Sequence, residues 1–283
     1  MALNFAARRK ICQSTIAVTA SIVAEESTRG ATNNSTFITS QLPSLSRAQS
    51  PGLILKPVGV LNGDSLTIAR NLARELPNHS TNTAARRVAV LNLASDELPG
   101  GGWPMTISTT QEEALCYSST LFATLKQEYY PWPNTGPGSI AGVYSPGVVV
   151  FRKDLEHACE LLPKAERDVV AVITVAAPRY PELSEDEKAF KHASDLQNLR
   201  DKIRLVYRMA ASHGHTDMVL GAVGCGAYGC PREVVAKQMR LIFHEDEFAG
   251  WFENVLFAVY GKGRGGAENF EVFRKEFECE DSH

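Results

Sequence analysis

Three glycines in succession, Gly100-Gly101-Gly102, limit what this chain can fold into more than any other feature. They follow Arg87–Leu93, whose Val88, Val90 and Leu91 predict a short β-strand, and they precede Gln111-Glu112-Glu113 by eight residues. Without Cβ atoms such a run can take φ > 0 and lie flat against a ligand. From Gln111 the apolar spacing predicts an amphipathic helix through Leu115, Ser118, Ser119, Phe122 and Leu125. The stretch Leu93–Leu121 thus reads as a strand exit, a glycine loop and a helix with two carboxylates in its first turn.

Each piece has an ordinary structural account. Thr110 and Glu113 fit a capping box, in which the hydroxyl accepts from the third helical amide and the carboxylate reaches back to the cap amide. Acidic residues in a first turn suit the helix dipole, and glycines suit tight loops. Capping, however, does not call for three glycines eight residues upstream at the end of a buried strand. A second strand–loop–helix unit recurs downstream, where Asp217–Ala222 leads into Val223-Gly224-Cys225-Gly226-Ala227-Tyr228-Gly229-Cys230-Pro231. Two such units imply a ligand across the carboxyl ends of a sheet, with phosphates at helix N-termini. Gly224-x-Gly226-x-x-Gly229 matches the bare dinucleotide fingerprint of Rossmann dehydrogenases. It stands too late in the chain and lacks an acid about 20 residues on at a second strand end.

At 283 residues the chain suits one large α/β domain or two small ones. With 29 basic against 32 acidic residues, it lacks the basic footprint of a sequence-independent nucleic-acid binder. An anionic ligand would be met by local backbone geometry. The six cysteines (Cys12, Cys116, Cys159, Cys225, Cys230, Cys279) form no Cys-x-x-Cys pair, and read as reduced thiols of an intracellular protein, cytoplasmic or nuclear. No metal site is expected at Cys225 and Cys230, and His213 and His215 read as a solvated helix end. No apolar run reaches the roughly 20 residues of a membrane span. Residues 1–24 carry Arg8, Arg9 and Lys10 and no acid, which admits an organelle-targeting peptide. Phe5, Ile11, Ile16, Val18 and Val23 equally suit a helix packed on the domain, the reading taken here.

That first helix is predicted to run to about Glu26, followed by a polar loop to Ser50 with a short strand at Thr36–Thr39. One or two strands interrupted by Pro57 are expected over Leu53–Leu61, then a helix capped by Asp64 or Ser65 and a polar loop over Pro77–Ala85. Tyr129–Gly142 reads as a surface loop. Tyr144–Arg152 and Asp168–Ala177 read as buried strands. A long helix carries the stripe Ala189, Ala193, Leu196, Leu199, Ile203, Val206 and Met209. Pro231 suits the first position of a helix through Val234, Val235 and Ile242. Asn254–Tyr260 supplies a last strand, and after a glycine-rich turn over Gly261–Gly266 a terminal amphipathic helix closes the chain.

The spacing of Gly100-Gly101-Gly102 and Gln111-Glu112-Glu113 resembles the signature of poly(ADP-ribose) glycohydrolases, and its surroundings look most like the compact microbial type of bacteria and fungi. The resemblance covers most of the chain. It implies an α/β macrodomain-like fold, a mixed β-sheet sandwiched between helices that binds ADP-ribose, with an N-terminal helical extension. Residues 1–50 would then be a helix and polar loop packed on the domain, and residues 51–283 the catalytic domain. By the same resemblance, Gly100, Gly101 and Gly102 embrace the diphosphate and distal ribose from one side. Gly224, Cys225, Gly226, Ala227 and Gly229 form the diphosphate loop on the other, with Tyr228 as the aromatic against the distal ribose. Glu113 matches the catalytic acid, Glu112 the holder of the distal ribose hydroxyls, and Gln111 helps to fix the turn. Where the family ends its strand with Phe-Ala-Asn, this chain has Leu93-Ala94-Ser95, so that Ser95 takes the place of an Asn that contacts the distal ribose.

The implied reaction is hydrolysis of ribose–ribose O-glycosidic bonds in poly(ADP-ribose), releasing ADP-ribose, with no metal or redox cofactor. Its partners would be the polymer or ADP-ribosylated proteins, and neither sequence-specific nucleic acid nor membrane. A helix N-terminus lowers a carboxyl pKa, whereas a general acid needs it raised. Desolvation by the bound sugar, Glu112 and the substrate diphosphate all push upward. Ser95 and the stiff, β-branched Thr106–Thr110 segment motivate a second reading, an ADP-ribose-binding module with little or no turnover. A hydrolase of another ADP-ribosyl linkage is the third.

Overall fold

β-branched residues decide where the sheet lies. In the structure, a computed structural model that describes residues 3–76, 87–263 and 265–278, all of Asp168–Val175 is buried. The elements are α1 (Phe5–Glu25), β1 (Thr36–Ile38), β2 (Gly59–Leu61), α2 (Ser65–Glu75), β3 (Ala89–Leu93), α3 (Trp103–Thr106), α4 (Gln111–Ser118), β4 (Gly142–Val150), β5 (Asp168–Val175), α5 (Ala193–Ser212), β6 (Asp217–Leu220), α6 (Arg232–Phe243), β7 (Asn254–Ala258) and α7 (Gly266–Glu278). The seven strands form one sheet in the order β1-β4-β5-β3-β6-β7-β2. β4 runs antiparallel to its neighbours β1 and β5, and every other pairing is parallel.

Both faces of the sheet are covered, which is why its strands read as continuous apolar runs. Ala171, Ile173 and Val175 of β5 face α5 and share one core with Leu199 and Ile203 of α5, Met239 of α6 and Phe273 of α7. Val170 and Val172 point the other way, into a core with Cys12 of α1, Leu66 and Leu72 of α2, and Leu115 of α4. This is the helix-flanked mixed sheet that the resemblance implied. Asp64 is the cap of α2, its Oδ1 accepting from Thr67 N at 2.8 Å. Among the described residues no helix is long and apolar enough to cross a membrane.

The differences from the sequence reading have local causes. The helix expected to continue from Gln111 past Leu121 stops at Ser118, and Leu121–Thr124 forms a separate 3-10 turn. Ser118 and Ser119 turn their hydroxyls back to Ala114 O and Leu115 O at 3.1 and 2.7 Å, and Thr120 N is drawn to Val149 O at 3.0 Å. Only Gly59–Leu61 of the Leu53–Leu61 run is a strand; Pro57 offers no N–H to a ladder. α5 begins at Ala193 rather than Ala189, because Leu183 and Phe190 pair across a turn before it. Pro231 is the N-cap residue of α6 and not its first residue. His215 is not solvated: only 1% exposed, it bonds Tyr144 Oη through Nε2 at 2.8 Å and Arg87 O through Nδ1 at 2.9 Å. Burial lowers its pKa to about 4. The loop expected at Pro77–Ala85 lies outside the described residues, as do Arg264 and Cys279.

Candidate active site

β3 is the middle strand, and its ladder to β6 ends after Ala89–Met218 and Val90–Val219. Beyond that point the two strands part, the chain passing from β3 toward α4 on one face and from β6 toward α6 on the other. Such a divergence at the carboxyl ends of parallel strands opens a crevice. Gln111 fills the freed edge of β3: its Oε1 accepts from Leu93 N at 2.9 Å and its Nε2 donates to Leu91 O at 2.9 Å. The side-chain amide thus substitutes for a strand residue and fastens the first turn of α4 to the end of β3.

The next two residues lie where this fastening puts them. Glu112 is 2% exposed, with Oε1 accepting from Asn92 Nδ2 at 3.0 Å and Oε2 from the Ser95 amide at 2.8 Å. Glu113 is 4% exposed and accepts the Thr110 hydroxyl proton at Oε2. The expected capping box therefore does not form. Thr110 accepts no bond from the helix amides, and its hydroxyl donates instead to the Glu113 carboxylate, a charge-assisted bond. Burial pushes the Glu112 carboxyl up to about 8 against the opposing pull of its two donors, and the neighbouring Glu113 adds to the rise. Glu113 is raised as well, by burial, with the Thr110 hydroxyl pulling the other way. Both shifts arise in the protein itself, before any sugar is bound.

Pro99–Gly102 forms a 3-10 turn in which Gly100, Gly101 and Gly102 have φ of 60°, 61° and 73°. The run is required by close approach. A methyl on Gly101 would sit 2.7 Å from Glu113 Oε1 and 3.3 Å from Glu112 Oε2. Ile107, between this turn and α4, also takes a left-handed conformation, with φ 51°. For a β-branched residue that is strained, and it is held by its amide bond to Trp103 O at 3.0 Å and by Arg8 Nε on its carbonyl at 3.1 Å.

The second loop starts on Gly224, at φ 77°, where a methyl would meet Ala177 Cβ at 2.6 Å and Cys230 Sγ at 2.7 Å. Gly226, Ala227 and Gly229 are exposed, and methyls on Gly226 or Gly229 would touch nothing within 4 Å. Cys225 lies half-buried, its thiol directed to Val223 O at 3.7 Å. Tyr228 ties this loop to the first one: its phenol donates to Asp96 Oδ1 at 2.7 Å and accepts from Asp96 N at 3.3 Å. Ser95 contributes its amide to Glu112, while its Oγ accepts from Glu97 N at 3.1 Å and Leu98 N at 3.4 Å, closing the loop on itself. Among the described residues no group of three or more His, Cys, Asp or Glu side chains is placed to hold a metal ion.

The structure brings together all the sequence-predicted residues of the first loop, and links them through Tyr228 to the second. Asn92, Asp96 and Arg179 belong to this assembly and were not singled out from sequence. Asn92 carried a signal, being a polar residue between Leu91 and Leu93 in a buried strand, where an amide needs a partner.

Residues 6–153 match the model of the family described as microbial-type PARG, catalytic domain. The poly(ADP-ribose) glycohydrolase (PARG) of Deinococcus radiodurans, in complex with ADP-ribose, is 30% identical; the match covers 83% of this chain and 88% of that one, with a TM-score of 0.68. The chain belongs to the microbial-type PARG family. The PARG of Thermomonospora curvata is also similar, at 28% identity over 95% of this chain and 99% of that one, TM-score 0.76. A second structure of that enzyme, bound to the inhibitor ADP-HPD, matches with a TM-score of 0.73 at the same identity and coverage. No curated protein matches. In this PARG-family chain, the family match begins within α1 and runs past β4, so it includes the whole first loop and both glutamates.

Proposed function

We propose that this chain hydrolyses the ribose–ribose O-glycosidic bonds of poly(ADP-ribose) and releases ADP-ribose, with Glu113 as general acid and then general base. The observation that carries the reading is the close approach of the Glu113 carboxyl to Gly101, where a methyl would lie 2.7 Å from Oε1, beyond the end of the central strand and beside the crevice. A sugar lying on Cβ-free backbone there can come within reach of that carboxyl. As the bond between the anomeric carbon and the leaving oxygen breaks, Glu113 gives its proton to that oxygen and the ribose gains oxocarbenium character. Water then adds to the anomeric carbon, and the Glu113 carboxylate takes the water's proton. Burial raises the Glu113 carboxyl above its ordinary value, the direction a general acid needs. Glu112, with each oxygen already fixed by one donor, is suited to accept from the distal ribose hydroxyls with its remaining lone pairs. Gly224–Gly229 and Tyr228 would hold the diphosphate and the far side of the ribose. We further infer that residues 1–50 brace the catalytic unit 51–283, since α1 supports the catalytic segment from behind: Arg8 Nε lies 3.1 Å from Ile107 O, and Thr15 Oγ1 lies 3.3 Å from Tyr117 O.

A binding module with little turnover is the competing reading, and the Ser95 hydroxyl, engaged with its own loop, favours it. Labelled polymer separates the two. The parent protein should release ADP-ribose, and Glu113→Gln should lower the rate by about 10²- to 10⁴-fold, the usual contribution of a general acid or base. Polymer left intact by a parent that binds ADP-ribose in calorimetry would overturn the enzyme reading in favour of the module.

A further inference from the structure

We infer that Asp96 is a positioning residue that locks the aromatic of the second glycine loop to the carboxylate pair of the first. The inference rests on the proposed function, because it takes Tyr228 and Glu112 to be the two sides of one sugar site. Asp96 is 1% exposed, and all four of its polar atoms are engaged. Oδ1 accepts from the Tyr228 phenol at 2.7 Å, and the Asp96 amide donates back to the phenol oxygen at 3.3 Å. Oδ2 faces Arg179 Nη2 at 3.4 Å, and the carbonyl accepts from Trp132 N at 3.1 Å. Arg179 is itself held, by Glu97 Oε1 at 2.7 Å and by its own amide on Asn134 Oδ1 at 2.7 Å. The buried Lys202 braces the same corner through Asn134 O at 2.8 Å. One peptide unit away, the Ser95 amide holds Glu112 Oε2 at 2.8 Å. A continuous path of bonds therefore runs from the phenol through residues 96 and 95 to a carboxylate of the pair, joining parts of the chain 132 residues apart.

A phenylalanine at position 228 could fill the same space, but it would leave Asp96 Oδ1 and N without their partner. The ring would then be free to slide relative to Glu112. The chemistry that feels this is the ribose between them: its ring must be held while charge develops at the anomeric carbon, so the lock should act on turnover more than on ground-state affinity.

Four proteins test it: the parent, Tyr228→Phe, Asp96→Asn and the double variant, assayed on labelled polymer with melting temperature as a control. Each single change should lower kcat about ten-fold, close to the lower end of what a hydrogen bond to a charged group contributes, with KM within about two-fold of the parent. The double variant should be no slower than the slower single, since both act on one bond: Tyr228→Phe deletes its donor, and Asp96→Asn leaves an amide oxygen without the charge that strengthens it. Singles that leave kcat within two-fold, or losses that multiply in the double, overturn the inference. If Asp96→Asn does not fold, Tyr228→Phe decides by the same criterion, as it deletes only the hydroxyl. A parent that binds ADP-ribose without releasing it from polymer defeats the enzyme reading alone. The bond itself is then read from the melting temperatures of the same four proteins: losses that coincide in the double place both groups in one bond, and losses that add overturn the inference.

Discussion

The two glycine loops use the same residue for opposite reasons. In the first, methyls on Gly100, Gly101 and Gly102 would meet Cys116 and Phe122, the two carboxylates, and Leu98 respectively, all within 3.3 Å. The protein's own atoms occupy the space, and the glycines let backbone press against carboxylates. In the second, Gly224 is likewise crowded, by Ala177 and Cys230, but Gly226 and Gly229 beyond it face nothing within 4 Å, so their missing side chains leave room on the outer side. The comparison teaches that one loop sets the glutamate pair from within the fold, whereas the other leaves its outer face open.

The largest effect that can break this comparison is expected at Gly101. Gly101→Ala forces a methyl to 2.7 Å from Glu113 Oε1 at φ 61°, so the end of the carboxyl side chain has to move aside. Turnover on polymer should fall by about 10²-fold or more from misplacement of the acid, with about 1–2 kcal/mol of stability lost to left-handed strain. Rates within ten-fold of the parent would mean that the loop does not set Glu113. Gly226→Ala is the counterpart. Its φ lies outside the left-handed region and its surroundings are open, so stability should stay within about 0.5 kcal/mol. Affinity for ADP-ribose should drop about ten-fold, or ~1.4 kcal/mol, if the diphosphate lies against that backbone. Calorimetry beside a thermal melt reads both quantities. An unchanged dissociation constant would remove the second loop from the site.

How much of this was legible in the sequence depended on how far apart the partners lie. β5 could be read directly, because Val169, Val170, Val172, Ile173 and Val175 report their own burial. The first loop and its two glutamates stood in one short stretch, and their meaning came from the resemblance. What Gln111 does there, stitching the edge of β3 where β6 departs, could not be seen before the strand order was known. Asp96 was invisible for the same reason: nothing near it in the chain points to a tyrosine 132 residues on. The capping box was a local pattern overruled by a buried carboxylate, and the end of α4 was decided by serines whose hydroxyls compete with the helix.

A smaller effect sharpens the first half of the comparison, because a carboxyl pressed under a backbone loop should report its burial through pH. Burial raises Glu113 in the folded chain above its ordinary carboxyl value of about 4.3. Folding then favours the protonated form, and that contribution is complete below about pH 4 and is lost as pH rises through the folded value. Glutamine cannot ionise, and the Thr110 hydroxyl can accept from its amide. The melting temperature of Glu113→Gln relative to the parent should therefore climb with pH, by about 2–4 °C for each kcal/mol recovered in a chain of this size. A difference that is flat from pH 4 to pH 9 would mean that the carboxyl is hydrated.

The smallest expected effect is at Ser95, where the first loop meets the ribose by resemblance but spends its hydroxyl on the Glu97 and Leu98 amides. An asparagine can make the same two bonds through Oδ1, since Asn closes such turns as readily as Ser. Its Nδ2 is then left over with two donors that reach further than the single O–H of serine. The Ser95 amide that holds Glu112 is backbone and survives the change. Ser95→Asn should thus leave the melting temperature unaltered and add one hydrogen bond to the sugar, worth about 0.5–1.5 kcal/mol. Made chiefly in the transition state, that bond raises kcat by roughly 2- to 13-fold; made equally in the ground state, it lowers only KM. Steady-state kinetics on polymer distinguish these outcomes. If both constants stay unchanged while the melt confirms an intact loop, Ser95 does not face the ribose, and the first loop acts on the substrate through its glycines and glutamates alone.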